Sequence, residues 1–533
     1  MSFAAAFRSI AAKALRFAKS SLQVGDGARR RKSPTAFEMG IRNWNIRLNQ
    51  LPSFVFGPLS RRLLLSRFRR KKCCRRGLGA ARDLTEGELI LKVPKSALMT
   101  STSLAMKDDK LSRALNAHHS LSPTQILAVC LLYEMGKGKS SWWHPYLVNL
   151  PHSYDILATF GEFEKQALQV DDAKWAAEKA TLKAEDDWKE ANALMEQLKL
   201  KPQLRTFQAW LWASATISSR TLHIPWDAAG CLCPVGDLFN YSAPGEEPSA
   251  CESMEHATLD LVNDDSSGTL DVDVSDSRRL TDGGFEKDID AYCFYAKKSY
   301  KKGEQALLSY GTYTNLELLE HYGFLLNGNP NDKVFIPLEP EIYSSCSWPK
   351  ESLYIHQTGK PSFALLSALR LWATPRNQRR SVGHLVYSGL QLSIQNEMYV
   401  MTWISKKCNA ILKSLPTSFE DDRLLSSAID KIQNLESPLE LNQLSSTCRD
   451  EICAFKSNVV QKGERSSMQS RERWRLAVEW RLSYKKILVD CISYCDETCQ
   501  ISTVIWEGSG VRFLILLRTE KLKAKMGMEK WVC

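Results

Sequence analysis

The chain has 533 residues, of which 44% are hydrophobic and 25% charged, enough for two or three domains and a sizeable core, in the composition of an ordinary globular protein. No run approaches the eighteen apolar residues of a membrane span. The nearest, 126–135 and 511–517, have the length of core segments. The net charge of +11 sits at one end: residues 1–82 hold 20 Lys and Arg against only Asp26 and Glu38, so the remainder is acidic and does not read as a nucleic-acid surface.

The start of the chain has two open readings. Residues 1–21 place Phe3, Phe7, Ile10, Leu15 and Phe17 among Arg8, Lys13, Arg16 and Lys19, which resembles an organelle transit peptide. A disordered basic extension accounts for the same composition. Location is open with it: chloroplast or mitochondrion on the first reading, cytoplasm or nucleus on the second. Residues 1–76 are taken together as this extension. Fifteen cysteines without regular spacing, and no secretory signal, fit a reducing compartment. Cys491, Cys495 and Cys499 form one helical stripe, read as core packing, and no metal site is expected.

From Gly77 the texture changes. Residues 80–94 read as strand, turn at Thr85–Glu88, and a strand closed by Pro94. Residues 122–135 read as a helix started by Ser122-Pro123. Residues 172–200 read as a long solvated helix and 207–218 as a mostly buried one. Residues 246–290 carry 14 acids and three bases with much Ser and Gly, the signature of a surface insertion. Strand character returns at 290–296 and 305–309. Beyond Pro340, apolar spacing near 3.6 at 363–372, 384–413, 424–434 and 470–493 suggests a helical domain, and residues 496–533 fit no pattern.

Three separated segments carry chemistry together. The first is Arg76-Gly77-Leu78-Gly79-Ala80, whose glycines allow a tight turn and close backbone approach to a ligand. It lacks the following helix that a dinucleotide site needs. The second is Arg220, then Pro234-Val235-Gly236-Asp237-Leu238-Phe239-Asn240-Tyr241, in which Leu238 and Phe239 anchor a turn and leave Asp237 and Asn240 to bind. The third is Gly303-Glu304 leading through a strand to Tyr310-Gly311, then a short helix ending at Tyr322-Gly323-Phe324.

In this order and spacing the segments resemble the SET-domain family, in the class typified by Rubisco large-subunit lysine methyltransferase. The resemblance covers residues 77–340, and 360–490 match only in helical texture. It implies an α+β fold: a SET-domain β-fold at 77–340 split by a helical insert at about 125–225 and carrying the acidic loop, followed by an α-helical substrate-binding domain at 341–495. It also implies S-adenosyl-L-methionine as cofactor, with Arg76, Gly77, Leu78, Arg220, Asn240, Tyr241 and Tyr310 as its contacts. Tyr310 would be the catalytic residue, and Asp237, Arg220, Tyr322 and Phe324 would meet the substrate. The expected activity is lysine methylation of a non-histone protein by a monomer, with no nucleic-acid or membrane partner. Histidine methylation and a non-catalytic SET-fold binding module stand as alternatives.

Two departures from the family pattern matter. Tyr241 replaces the usual histidine after the motif asparagine. The zinc-binding cysteines of histone-modifying members are missing, since the next cysteine after Tyr310 is Cys346. The expected chemistry is an in-line displacement that needs a neutral amine aligned with a sulfonium methyl. An unperturbed lysine pKa near 10.4 leaves little free base at pH 7, so an aromatic channel would favour the neutral form by desolvation.

Overall fold

The computed structural model describes residues 63–70, 73–243, 283–429, 444–460 and 464–507. The start at 1–21, most of the acidic stretch (244–282) and the end beyond 507 lie outside them. The chain forms two compact units. Of the described residues, the first takes those up to Thr159, Ala176–Thr312 and Leu319–Gly323; the second takes Phe160–Trp175, Tyr313–Leu318 and those from Phe324 onward.

In the first unit β1 (Leu63–Arg70) and β2 (Cys73–Ala80) make an antiparallel hairpin, with Leu63 opposite Ala80 and Arg70 opposite Cys73. Two expectations change here. Part of the N-terminal extension is a strand, and Gly77-Leu78-Gly79 is the end of β2 rather than a turn before a strand. The reason is tertiary. The far edge of β2 is taken up by residues 303–306: Ala306 N donates to Leu78 O (2.9 Å), Ala80 N to Glu304 O (2.8 Å) and Gly303 N to Ala80 O (2.8 Å). Glycine's weak strand propensity is overridden once both edges are hydrogen-bonded.

After the expected turn, where Gly87 has φ of +75°, β3 (Leu89–Pro94) follows. β4 (Thr221–Ile224) and β5 (Asp227–Leu232) form a second hairpin, and β6 is the two-residue strand Asn240–Tyr241. β7 (Gly283–Glu286) lies within the acidic stretch, and it pairs with β8 (Ala291–Tyr295) in a sheet of order β3-β8-β7. β9 (Leu307–Leu308) runs parallel to β6. These sheets close on a core of Leu78, Ile90, Leu91, Val93, Phe239, Tyr292, Phe294 and Leu308.

The helical insert folds around its own core. Helix Pro123–Lys137 starts where expected: Ser122 accepts from Gln125 N while the Gln125 side chain accepts from Ser122 N. Helix Asp171–Gln197 is less solvated than its charges suggest, because Ala184, Ala191, Leu194 and Met195 form one buried face and Trp188 Nε1 donates to Arg205 O at 3.0 Å. Helix Phe207–Arg220 buries Ala209, Trp210 and Ala213.

The second unit is helical. Phe363–Trp372 matches its expected span. The expected helix at 384–413 is two, Arg379–Tyr387 and Ile394–Ser414. Gly389, with φ of +80°, ends the first as its amide donates to Val386 O at 3.0 Å and Leu390 N to Leu385 O at 3.0 Å. Ser393 then caps the second. Helix Ser446–Val460 had no clear sequence signal, and the last helix runs from Glu464 to Glu507, longer than its periodicity indicated. Cys491 and Cys495 pack with Cys408 in the core of this unit. Among the described residues no helix is long and apolar enough to cross a membrane, and no cluster of side chains is suited to a metal ion.

Candidate active site

The strand ladder brings the three motif segments together. Gly79 bridges Gln305, two residues before β9, and β9 pairs with β6 so that Asn240 faces Leu307 and Tyr241 faces Leu308. Ser242 N extends the ladder to Leu308 O at 2.9 Å. The 303–308 segment thus lies between the end of β2 and the motif strand, and delivers Tyr310 just beyond them.

Tyr310 is fixed on three sides. Its hydroxyl donates to Phe239 O at 2.5 Å. Its ring stacks on Tyr322, with centroids 5.1 Å apart and planes 29° apart, and packs against Tyr241 at 5.2 Å. Tyr241 is buried, and its hydroxyl donates to Gly311 O at 2.9 Å. The tyrosine that stands where the family has histidine therefore pins the turn after Tyr310 and backs its ring. Its main chain is committed to the β6–β9 ladder.

Tyr322 reaches the site because the end of its helix is clamped. Ser218 Oγ donates to His321 O at 3.1 Å. Gly323 has φ of +69°, and a Cβ there would lie 2.9 Å from the Asp155 carbonyl carbon, so glycine alone allows this approach.

The turn carrying Asp237 is strained at one residue. Val235 has φ of +72°, a region that β-branched side chains avoid. Its geometry lets Asp237 N donate to Cys233 O and Leu238 N to Val235 O, both at 3.0 Å. Gly236 presses on the Phe294 ring, where a Cβ would come within 2.6 Å. Phe239 is buried against Phe294 (5.0 Å), as its apolar position in the motif suggested, and Leu238 packs at the edge of the same core.

Arg220, at the end of helix Phe207–Arg220, turns onto this loop. Its Nη1 donates to Asp237 Oδ2 (2.9 Å) and to Asp237 O (3.0 Å), and its Nε to the Tyr154 hydroxyl oxygen (3.1 Å). Tyr146 donates its hydroxyl to the same Asp237 Oδ2 at 3.0 Å. The Asp237 side chain is 2% exposed and that of Arg220 18%. Asp237 Oδ1 is buried with no hydrogen-bond partner among the described residues. Burial works to lower the Arg220 value, and Tyr154, Asp237 and Tyr146 more than offset it, so the guanidinium is held charged. Burial raises the Tyr146 hydroxyl, and the Asp237 carboxylate adds to the shift, keeping it a neutral donor. Tyr154 is likewise raised, by burial first.

The sequence-derived residues distribute as follows. Gly77, Leu78, Arg220, Asp237, Asn240, Tyr241, Tyr310 and Tyr322 belong to the first unit and its ladder, motif turn or tyrosine group. Leu78 contributes a buried side chain to the core and its carbonyl to Ala306. Arg76 is paired through its backbone opposite Arg67. Phe324 is buried and is grouped with the second unit. Tyr146 and Tyr154 escaped sequence reading, because they lie in the helical insert with no motif around them. The one signal for Tyr146 is the aromatic cluster Trp142-Trp143-His144-Pro145-Tyr146.

Comparison with known proteins shows the family and the fold. A family model described as Rubisco LSMT substrate-binding matches residues 345–488. Over 435 residues the chain is 57% identical to Protein SET DOMAIN GROUP 40 of Arabidopsis thaliana, covering 79% of this chain and 87% of that one. It is 26% identical over 389 residues to the actin-histidine N-methyltransferase of Xenopus tropicalis, covering 65% of this chain and 59% of that one. Among solved structures, the SET domain of LSMT bound to MeLysine and AdoHcy superposes with a TM-score of 0.52 at 17% identity, covering 86% of this chain and 92% of that one, a likeness of fold. The chain belongs to the SET-domain methyltransferases of the Rubisco LSMT class, of the SET DOMAIN GROUP 40 type, with the α+β fold of that class.

Proposed function

We propose that this protein transfers a methyl group from S-adenosylmethionine to a lysine of a non-histone protein, working as a monomer. The observation that carries the reading is the anchoring of Tyr310: its hydroxyl proton is given to Phe239 O at 2.5 Å, on the strand segment that leads into Asn240. The phenolic oxygen then offers its lone pairs as acceptors, between the rings of Tyr322 and Tyr241.

The donor set fits a sulfonium cofactor. Aromatic faces suit its cation, buried glycines at 77 and 79 leave room along the backbone, and Asn240 brings an amide. Arg76, Gly77, Leu78, Arg220, Asn240, Tyr241 and Tyr310 would hold it. When bound, it supplies an electrophilic methyl. The protein's own part is alignment and desolvation: Tyr322 and Tyr310 stacked on each other form a wall that excludes water and favours a neutral acceptor amine. Tyr310 orients that amine through its oxygen and does not serve as a strong base. Asp237, held by Arg220 and Tyr146, supplies a fixed negative charge on the substrate side, and Phe324 a further apolar side chain. Residues 77–340 would form the catalytic domain and 341–495 the substrate-binding domain.

Labelled methyl transfer into a cell extract tests the reading. Wild-type protein labels a protein on lysine, and Tyr310→Phe lowers the labelling by about 10²-fold or more, the scale of losing one polar group aimed at transition-state charge. Equal labelling by both proteins would remove Tyr310 from its role. Calorimetry of S-adenosylmethionine, with loss of binding in Asn240→Ala, separates an enzyme from a non-catalytic SET-fold module.

Histidine is the second acceptor reading, favoured by the 26% identity to an actin-histidine N-methyltransferase. The pH profile divides the two. A lysine acceptor gives rates rising through pH 9, since its ordinary pKa is about 10.4. A histidine acceptor levels off above about pH 7.

A further inference from the structure

The second unit carries an aromatic and basic face that its own fold does not cover. Trp348 is the hub: its ring lies 5.8 Å from Phe363 and 6.2 Å from Tyr387. Phe363 is 47% exposed, Tyr387 42% and Leu390 54%. Leu390 joins them because Gly389, in its left-handed conformation, turns the chain back over Phe363; a Cβ on Gly389 would lie 3.1 Å from that ring. Large apolar side chains held together in solvent mark interaction sites when they are contiguous. Trp348 Nε1 is buried with no partner among the described residues.

Charge says what sits there. The exposed charges in residues 345–393 are Lys350, Lys360, Arg376 and Arg380 against one acid, Glu351, while Arg370 is buried and paired with Glu397. Arg380, His384 and Tyr387 are spaced i, i+4, i+7 on helix Arg379–Tyr387 and are all exposed, so Arg380 and His384 share the face that carries Tyr387 of the aromatic group. Lys350 and Arg376, in the flanking sequence, are exposed as well. Arg379 is spent differently: it bonds Thr374 O, Trp372 O and Ser345 Oγ and ties this face to the unit. An apolar centre with a one-signed rim suits a partner of opposite sign carrying an apolar anchor.

We propose that this face docks an acidic segment, bearing a large apolar side chain, of the protein that accepts the methyl group. The proposal rests on the methyl-transfer reading above and specifies its partner. The chain beyond residue 82 is net acidic, and the docking face has the opposite sign.

The test uses the full chain and two probes, fluorescein-labelled twelve-residue peptides with the same two phenylalanines, one otherwise of Glu, Asp and Gly, the other of Lys, Arg and Gly. Two surface variants are compared with wild type, Phe363→Ser/Leu390→Ser and Arg376→Glu/Arg380→Glu, with thermal melting of each to verify folding. The acidic peptide should bind wild type at least tenfold more tightly than the basic one, weaken at least tenfold in each folded variant, and weaken with salt. Equal binding of the two peptides to wild type, or unchanged binding in both variants, overturns the proposal. Methyl transfer into extract, read beside it, should fall at limiting extract in the variants while S-adenosylmethionine affinity stays the same. If wild type transfers no methyl group the catalytic reading fails by itself, and the peptide arm still decides the face. Should deletion of residues 246–282 tighten acidic-peptide binding tenfold, the chain's own insertion occupies the face and the partner proposal is wrong.

Discussion

Each unit contains a buried ion-pair network, and they differ in completeness. In the second unit Asp422, Arg481 and Lys485 have fully buried side chains. Asp422 Oδ2 accepts from Lys485 Nζ at 2.6 Å, and Oδ1 from Arg481 and from Thr417. Arg481 also donates to Ala167 O and both Glu451 oxygens, and Lys485 to Thr417 O and Gln169 Oε1. Each of these charges has opposite-sign and neutral partners. In the first unit, Asp237 Oδ2 takes Arg220 and Tyr146 while Oδ1 has no partner among the described residues, and Arg220 retains some exposure. A closed network serves the fold, because every desolvated charge is compensated. The open one leaves electrostatic capacity unspent inside a site, which is where strain and unsatisfied groups concentrate.

The comparison can be broken by substitution. Asp422→Ala leaves Arg481 and Lys485 buried beside each other and should cost about 3–5 kcal/mol, the price of orphaning a buried pair, seen as an early urea transition of the second unit. Asp237→Asn keeps the shape and an acceptor oxygen, so the loss of stability should be about 1–2 kcal/mol, while methyl transfer falls by about 10²-fold. If the melting loss at Asp237 equals that at Asp422, the two networks do the same job and the distinction fails. Tyr146→Phe removes one donor from Asp237 and should reduce transfer by about tenfold, the rate equivalent of one net hydrogen bond, with little change in melting. Rescue of the pH profile but not of the rate in Tyr146→His would mark it as positioning the carboxylate.

A pH titration sharpens the contrast further. Lys485 is lowered below its ordinary 10.5 by burial, with Asp422 opposing. The unfolded chain therefore binds the proton more tightly than the native one in the window just below 10.5, and stability rises with pH across it. Lys485→Met should flatten that slope in urea melts taken between pH 8 and 10, and an unchanged slope would assign it elsewhere.

Legibility followed the range of the interactions. Helix Pro123–Lys137 could be read because Ser122, Pro123 and Gln125 form its cap locally. The motif residues Arg220, Asp237, Asn240 and Tyr310 stood out by type and spacing. The break at Gly389 falls inside the continuous apolar period of 384–413, and the structure shows a left-handed glycine ending one helix there. Tyr146 and Tyr154 were invisible because their importance lies in partners 91 and 66 positions away.

By itself, the sequence determined the helices with local caps, the apolar faces and the identity of the chemically capable side chains, since these depend on neighbours within a turn or two of chain. Only tertiary structure decided that Gly77-Leu78-Gly79 would be strand. Ala306 and Glu304 supply the hydrogen bonds that make it so. Tertiary structure likewise decided that Tyr241 would become a buried pillar under Tyr310, and that one ion network would close while the other stayed open. Hydrogen bonds between segments more than 200 residues apart leave no periodic trace in either segment, so folding alone expresses them.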